Sequence, residues 1–159
     1  MLMGCAVEAS SAESSSAESS SADVVAAPQD FTLSITPAIA PSVDEAFIRR
    51  SVSEAITLYA REVAPLTAPI DVVVDAPDCL RTGYDPPSRK VRFCNNTDTP
   101  RAGTASADVI HHEVFHALLC QTKPAWCDGS QDKVPLHEGL ADYFSYVLAP
   151  DDAFGEGFY

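Results

Sequence analysis

Apolar and polar positions along the chain fall into two periods. Ile48, Val52, Ile56, Tyr59 and Val63 recur every three or four residues among charged neighbours, which predicts a helix that buries one stripe. Ser42 followed three residues on by Glu45 has the form of a capping box, and Pro65, with no N–H to donate, stops the pattern. Ile70 to Val74 is short, β-branched and bounded by prolines, and reads as a strand. Gly83-Tyr84-Asp85-Pro86-Pro87-Ser88 is turn chemistry, and Lys90 to Cys94 alternates charged and apolar side chains as a strand with one wet face. Asn95 to Ala105 is polar and carries Pro100 and Gly103, as a loop does. Two apolar, helix-length segments follow, near 106–121 and 135–149. The expected architecture is α+β: a small mixed or antiparallel sheet against a packing helix and two further helices, in one domain over residues 29–159.

The first 28 residues follow neither period. From Cys5 to Pro28 the chain is nearly all Ser, Ala and Glu, with four acidic residues and no basic or aromatic ones, so it cannot bury enough surface to offset the entropy of ordering. It reads as a disordered tether. Ahead of it stands Leu2-Met3-Gly4-Cys5, which resembles the lipobox of bacterial lipoproteins and implies Cys5 as a lipidated residue. A secretory leader needs more than the residues that precede Cys5, so on that reading the leader starts further upstream; the alternative is an unlipidated, unstructured N-terminus. Membrane contact is expected only through that anchor, because no run of about 18 apolar residues exists to span a bilayer. The formal net charge of −13 repels phosphate backbones, which excludes nucleic acid as a partner.

Four cysteines lie in the domain, and an even set suggests disulfides and an exported protein, lipid-anchored at the cell envelope or secreted. Near-neighbour pairing joins Cys79 to Cys94 across the hairpin and Cys120 to Cys127 across the loop after the first of the two late helices. Neither pair has the Cys-x-x-Cys spacing of a zinc finger, and buried free thiols are the alternative.

The chemistry concentrates in the two late segments. His112-Glu113-Val114-Phe115-His116 is a His-Glu-x-x-His motif, and on a helix its i, i+4 spacing sets both imidazoles on one face within reach of a single metal ion, with zinc the natural occupant. Glu113, beside the first His, is placed to act as general base on a metal-bound water. Ser106 and Asp108 suit an N-cap and first turn, and Ile110, Val114, Ala117 and Leu118 make a separate core-facing stripe. Catalytic zinc usually takes three protein ligands. No His-x-x-Gly-x-x-His extension follows the motif, which rules out a metzincin pattern. The second helix instead offers Glu138 and, one turn later, Asp142.

His-Glu-x-x-His followed by Glu-x-x-x-Asp on a second helix resembles the gluzincin metallopeptidases, the thermolysin-like group. The resemblance is tight over about residues 109–146 and implies a zincin-like fold, one zinc ion, Glu138 as third ligand and Asp142 as the carboxylate that orients His112. It also implies hydrolysis of a peptide or protein substrate. Residues 83–94 resemble the strand pair ahead of the active helix in small metallopeptidases of this clan, which makes Lys90 to Asn95 the candidate substrate-binding strand; the alternative is that Val91 and Phe93 are core and Lys90 and Arg92 a solvated face. Thermolysin-like enzymes carry a further helical lobe after the third ligand. Here the expectation is either a minimal unit of about 115 ordered residues or a fragment truncated at its C-terminus.

His137 adjoins Glu138 but is turned about 100° around the helix, so it is expected beside the site rather than on the metal, and His111 meets the same objection. Tyr143 and Tyr146 are the aromatic candidates for stabilising an oxyanion, with core packing as the alternative. Two other functional classes stay open: a catalytically inert zinc-binding surface lipoprotein or interaction module, and a metal-free domain in which the motif is accidental.

Overall fold

The computed structural model describes residues 30–37, 39–40, 43–75, 79, 81–94, 104, 106–127 and 133–150. The tether, the lipobox Cys5, Asn95 and residues 151–159 lie outside these.

A four-stranded mixed sheet forms from β1 (Phe31–Ile35), β2 (Ile70–Asp75), β3 (Gly83–Asp85) and β4 (Lys90–Cys94), in spatial order β1-β2-β4-β3. β2 runs parallel to both β1 and β4, with Leu33 opposite Val72 and Val72 opposite Val91, while β3 pairs antiparallel with β4, Tyr84 opposite Val91. Parallel pairing requires a long crossover. Helix α1 (Glu45–Glu62) supplies it between β1 and β2. Strand β1 was not foreseen, because Phe-Thr-Leu-Ser-Ile is short and adjoins the Ser/Ala-rich stretch; its alternating half-buried and exposed positions show the expected period only once the parallel partner is known.

Alternation decides which way the sheet faces. Ile70, Val72, Val74, Val91 and Phe93 are all fully buried on one side, where they join Ile48, Val52, Ile56 and Tyr59 of α1. The opposite face carries Asp71, Asp75 and Arg92, with an Arg92–Asp75 ion pair at 3.0 Å and a hydrogen bond from Thr32 to Asp71. Burying only one face of a sheet is what the alternating apolar and charged positions demand.

Helix α2 (Ala107–Thr122) lies within the core, with Ile110, Val114 and Leu118 buried, and α3 (Val134–Leu148) packs across it after a short 3-10 turn, Pro124–Trp126. The Phe115 and Phe144 rings stack at 4.0 Å, and Tyr59 meets Phe115 edge-on at 5.3 Å while its hydroxyl hydrogen-bonds Thr122. Aromatic contacts of this kind fix the rotation of α3 about α2. Ser145 Oγ adds a hydrogen bond to the Asp108 carbonyl at 2.8 Å.

One expected helix start is corrected and the other holds. The N-cap of α1 is Asp44, whose Oδ1 accepts from the Phe47 N–H at 2.9 Å, and Glu45 pairs with Arg49 one turn on; Ser42, the expected cap, lies outside the described residues. A carboxylate directly ahead of the first turn accepts a free helix N–H and sits favourably at the positive end of the helix dipole. At α2, Ser106 is the N-cap residue and Asp108 lies in the first turn, as expected, with the Ser106 hydroxyl bonded to the Asp108 carboxylate and not to a helix N–H.

Cys79–Cys94 and Cys120–Cys127 are disulfides. Such bonds persist in oxidising surroundings. Among the described residues no helix is long and apolar enough to cross a membrane.

Candidate metal centre

Residues 112 and 116 project from one face of α2 toward α3, which brings Glu138 from its second turn. His112 Nε2 lies 3.0 Å from His116 Nε2 and 3.1 Å from Glu138 Oε2, and His116 Nε2 lies 3.4 Å from the same oxygen. Ligand atoms on a tetrahedral zinc with bonds of about 2.0–2.1 Å stand about 3.3 Å apart, so the three sides of this triangle match a shared ion.

The surrounding groups favour the form of each ligand that a cation needs. His112 Nδ1 lies 2.9 Å from Asp142 Oδ1, a geometry in which Nδ1 carries the proton and Nε2 keeps its lone pair. Burial pushes His116 down to about 3, with the positive character of His112, His137 and Arg81 adding to it, so its imidazole is neutral across the physiological range. Two imidazole nitrogens and a carboxylate oxygen thus crowd together with at most one hydrogen between the nitrogens. A divalent cation relieves that crowding.

Glu113 leans the other way along α2, against the sheet edge. Burial raises its carboxyl above the usual carboxylate range, the Glu138 charge adds to the rise, and His112, a hydrogen bond from the Tyr84 backbone and Arg81 oppose it. A Cβ placed on Gly83 would lie 3.8 Å from Glu113 Oε2, which shows how closely the β3 backbone approaches. His112, Glu113, His116 and Glu138 line one cavity of about 210 Å³ together with Arg81, Gly83, Tyr84 and Trp126.

Comparison with protein-family models, with curated proteins and with solved structures gives no match to this chain. The geometry therefore carries the functional argument alone.

The other sequence candidates fall as follows. Lys90 to Cys94 is not an edge: β4 is paired on both sides, and β3 is the edge strand beside the cavity. The reason is that the hairpin folds back outside β4 while β2 takes its other side, a non-local pairing that alternation within one strand does not encode. Tyr143 and Tyr146 are each 60% exposed and do not line the cavity, so they neither serve the oxyanion nor fill the core. His111 points away from the pair, buried and 3.5 Å from Glu54 of α1. His137 stacks on His116 with ring centroids 4.5 Å apart and turns its Nε2 to the Cys120–Cys127 sulfurs. Gly83 and Tyr84, expected in the turn and strand pair ahead of the active helix, belong to β3 and line the cavity, and Arg81 joins them with no signal in the sequence beyond its place just before that segment.

Proposed function

We propose that the chain is a zinc-dependent metallopeptidase of gluzincin type, in which His112, His116 and Glu138 hold one zinc ion and Glu113 is the general base. The observation that carries this reading is the triangle of ligand atoms at zinc-like separations with a half-buried carboxyl beside it. Zinc, when bound, acidifies a water and polarises a substrate carbonyl. The remaining work belongs to side chains. Glu113, its proton affinity raised by burial, takes a proton from the attacking water and returns it to the leaving amine. Asp142 holds His112 in the tautomer that ligates.

The substrate is an extended peptide. Among the described residues β3 is the edge strand of the sheet and lines the cavity, so an extended peptide laid along Gly83–Asp85 would pass beside Glu113, which already takes the Tyr84 backbone hydrogen bond. The two disulfides, the Ser/Ala/Glu tether and the lipobox at Cys5 together support an exported protein that is lipid-anchored at the cell envelope or secreted.

Elemental analysis of protein purified without added metal tests the ligand set. About one zinc per chain is expected in the wild type and none in Glu138→Ala. A metal-free wild type ends the reading. Hydrolysis of a casein substrate by the wild type but not by Glu113→Gln, with zinc retained in both, separates a peptidase from an inert metal binder; equal rates reject Glu113 as base.

A further inference from the structure

Next to the first trio the fold gathers a second set of ligand-type atoms. Cys120 lies near the end of α2, Cys127 follows the 3-10 turn, and His137 comes across from α3. His137 Nε2 is 3.6 Å from Cys120 Sγ and 3.3 Å from Cys127 Sγ, and the three atoms lie within 4.8 Å of one another. On tetrahedral zinc, with Zn–S about 2.3 Å and Zn–N about 2.0–2.1 Å, sulfur and nitrogen stand about 3.6 Å apart. The imidazole therefore already stands at ligand separation from both sulfurs. Only the sulfurs would have to part, to about 3.8 Å, and a Cα–Cα distance of 5.7 Å leaves room for that by side-chain rotation.

We propose that Cys120, Cys127 and His137 form a second, redox-gated site for a thiophilic divalent metal, closed while the disulfide stands and opened by a dithiol reductant. A thiolate of the reductant attacks one sulfur, its second thiol resolves the mixed disulfide, and the reductant leaves as its cyclic disulfide. Two electrons have then passed to the cysteine pair, which becomes two thiols. Metal binding releases their two protons to solvent, so two thiolates balance the charge of the ion and His137 adds a neutral nitrogen.

The other disulfide lacks this equipment. Among the described residues no metal-capable group includes Cys79 or Cys94, and Cys79 Sγ instead meets the Arg81 carbonyl. Cys120 and Cys127 lack Cys-x-x-Cys spacing along the chain, but His137 reaches both sulfurs from another helix. Position also gives the site a consequence. Cys120 and Cys127 form a wall shared by the 210 Å³ cavity and a second one of about 330 Å³ toward Thr67 and Arg89. Opening the disulfide and binding a metal there would remodel the wall that the two cavities share.

Cobalt titration of the full chain tests the proposal. The oxidised protein, and protein treated with a dithiol that is then removed by desalting under nitrogen, are compared for bound cobalt and for thiolate-to-cobalt charge-transfer absorption. Reduction is expected to add about one cobalt per chain together with the absorption band. Both gains should vanish in His137→Ala and in Cys127→Ser, and persist in Cys79→Ser/Cys94→Ser. They should also persist in Glu138→Ala, which removes the first site and so separates failure of this proposal from failure of the peptidase reading. No added cobalt on reduction overturns the proposal. So does a band that survives His137→Ala, or loss of helical circular dichroism on reduction with cobalt present.

Discussion

Replacing Asp142 by Ala removes the carboxylate that meets His112 Nδ1 at 2.9 Å and leaves all three proposed ligands intact. Outer carboxylates of this kind typically change metal affinity by about 10- to 100-fold, or about 1.4–2.8 kcal/mol. Asp142 is 60% exposed, and water screens its interaction with the imidazole, which places the effect at the lower end. The expected result is about tenfold weaker zinc binding, read by competition with a chromophoric chelator. Linkage carries the same figure into stability: at a fixed free zinc concentration above both dissociation constants, the variant loses about 1.4 kcal/mol, or roughly 5 °C in Tm. The metal-free protein provides the control. An exposed Asp within a helix contributes less to helix stability than Ala, so the apo variant should melt no lower than the apo wild type. Zinc affinity unchanged within about twofold would refute the role of Asp142, and equal destabilisation with and without metal would show a structural one.

Acid should unfold the metal-free protein through its buried imidazoles. His116 is held near 3 in the fold against an ordinary value near 6.5, so the unfolded chain takes up the proton first and stability falls as pH drops from about 6.5 toward 3, by about 1.4 kcal/mol per pH unit. Denaturant midpoints across that range should flatten in His116→Gln; an unchanged slope would contradict the burial argument. In the core, Phe93→Ala empties a fully buried position between sheet and helices and should cost about 3–5 kcal/mol by urea unfolding, whereas less than about 1 kcal/mol would mean that the sheet face is not packed as described.

Legibility in the sequence followed locality. The helical stripe from Ile48 to Tyr59, the β-branched run Ile70–Val74 and the alternation of Lys90–Cys94 each carry their own period, and each forms the expected element. Both near-neighbour disulfides were legible for a related reason, since short loops bring their cysteines together at little entropic cost. Strand β1 and the edge position of β3 were not, because strand order is a relation among segments tens of residues apart. The cap of α1 is Asp44 and not Ser42, because two capping-type residues stand within three positions and only the realised backbone fixes where the helix begins.

For the candidate site, the amino-acid order by itself determined that His112 and His116 share a helix face with Glu113 beside them, because four residues make about one turn whatever surrounds the helix. Tertiary structure decided everything that crosses between elements. Packing of Phe144 on Phe115 sets the rotation of α3, and that rotation brings Glu138 to the paired imidazoles, Asp142 to the back of His112 and His137 to the sulfurs. Helical spacing places residues on a face of their own helix, but which neighbour that face meets depends on how the two apolar stripes interlock in the core.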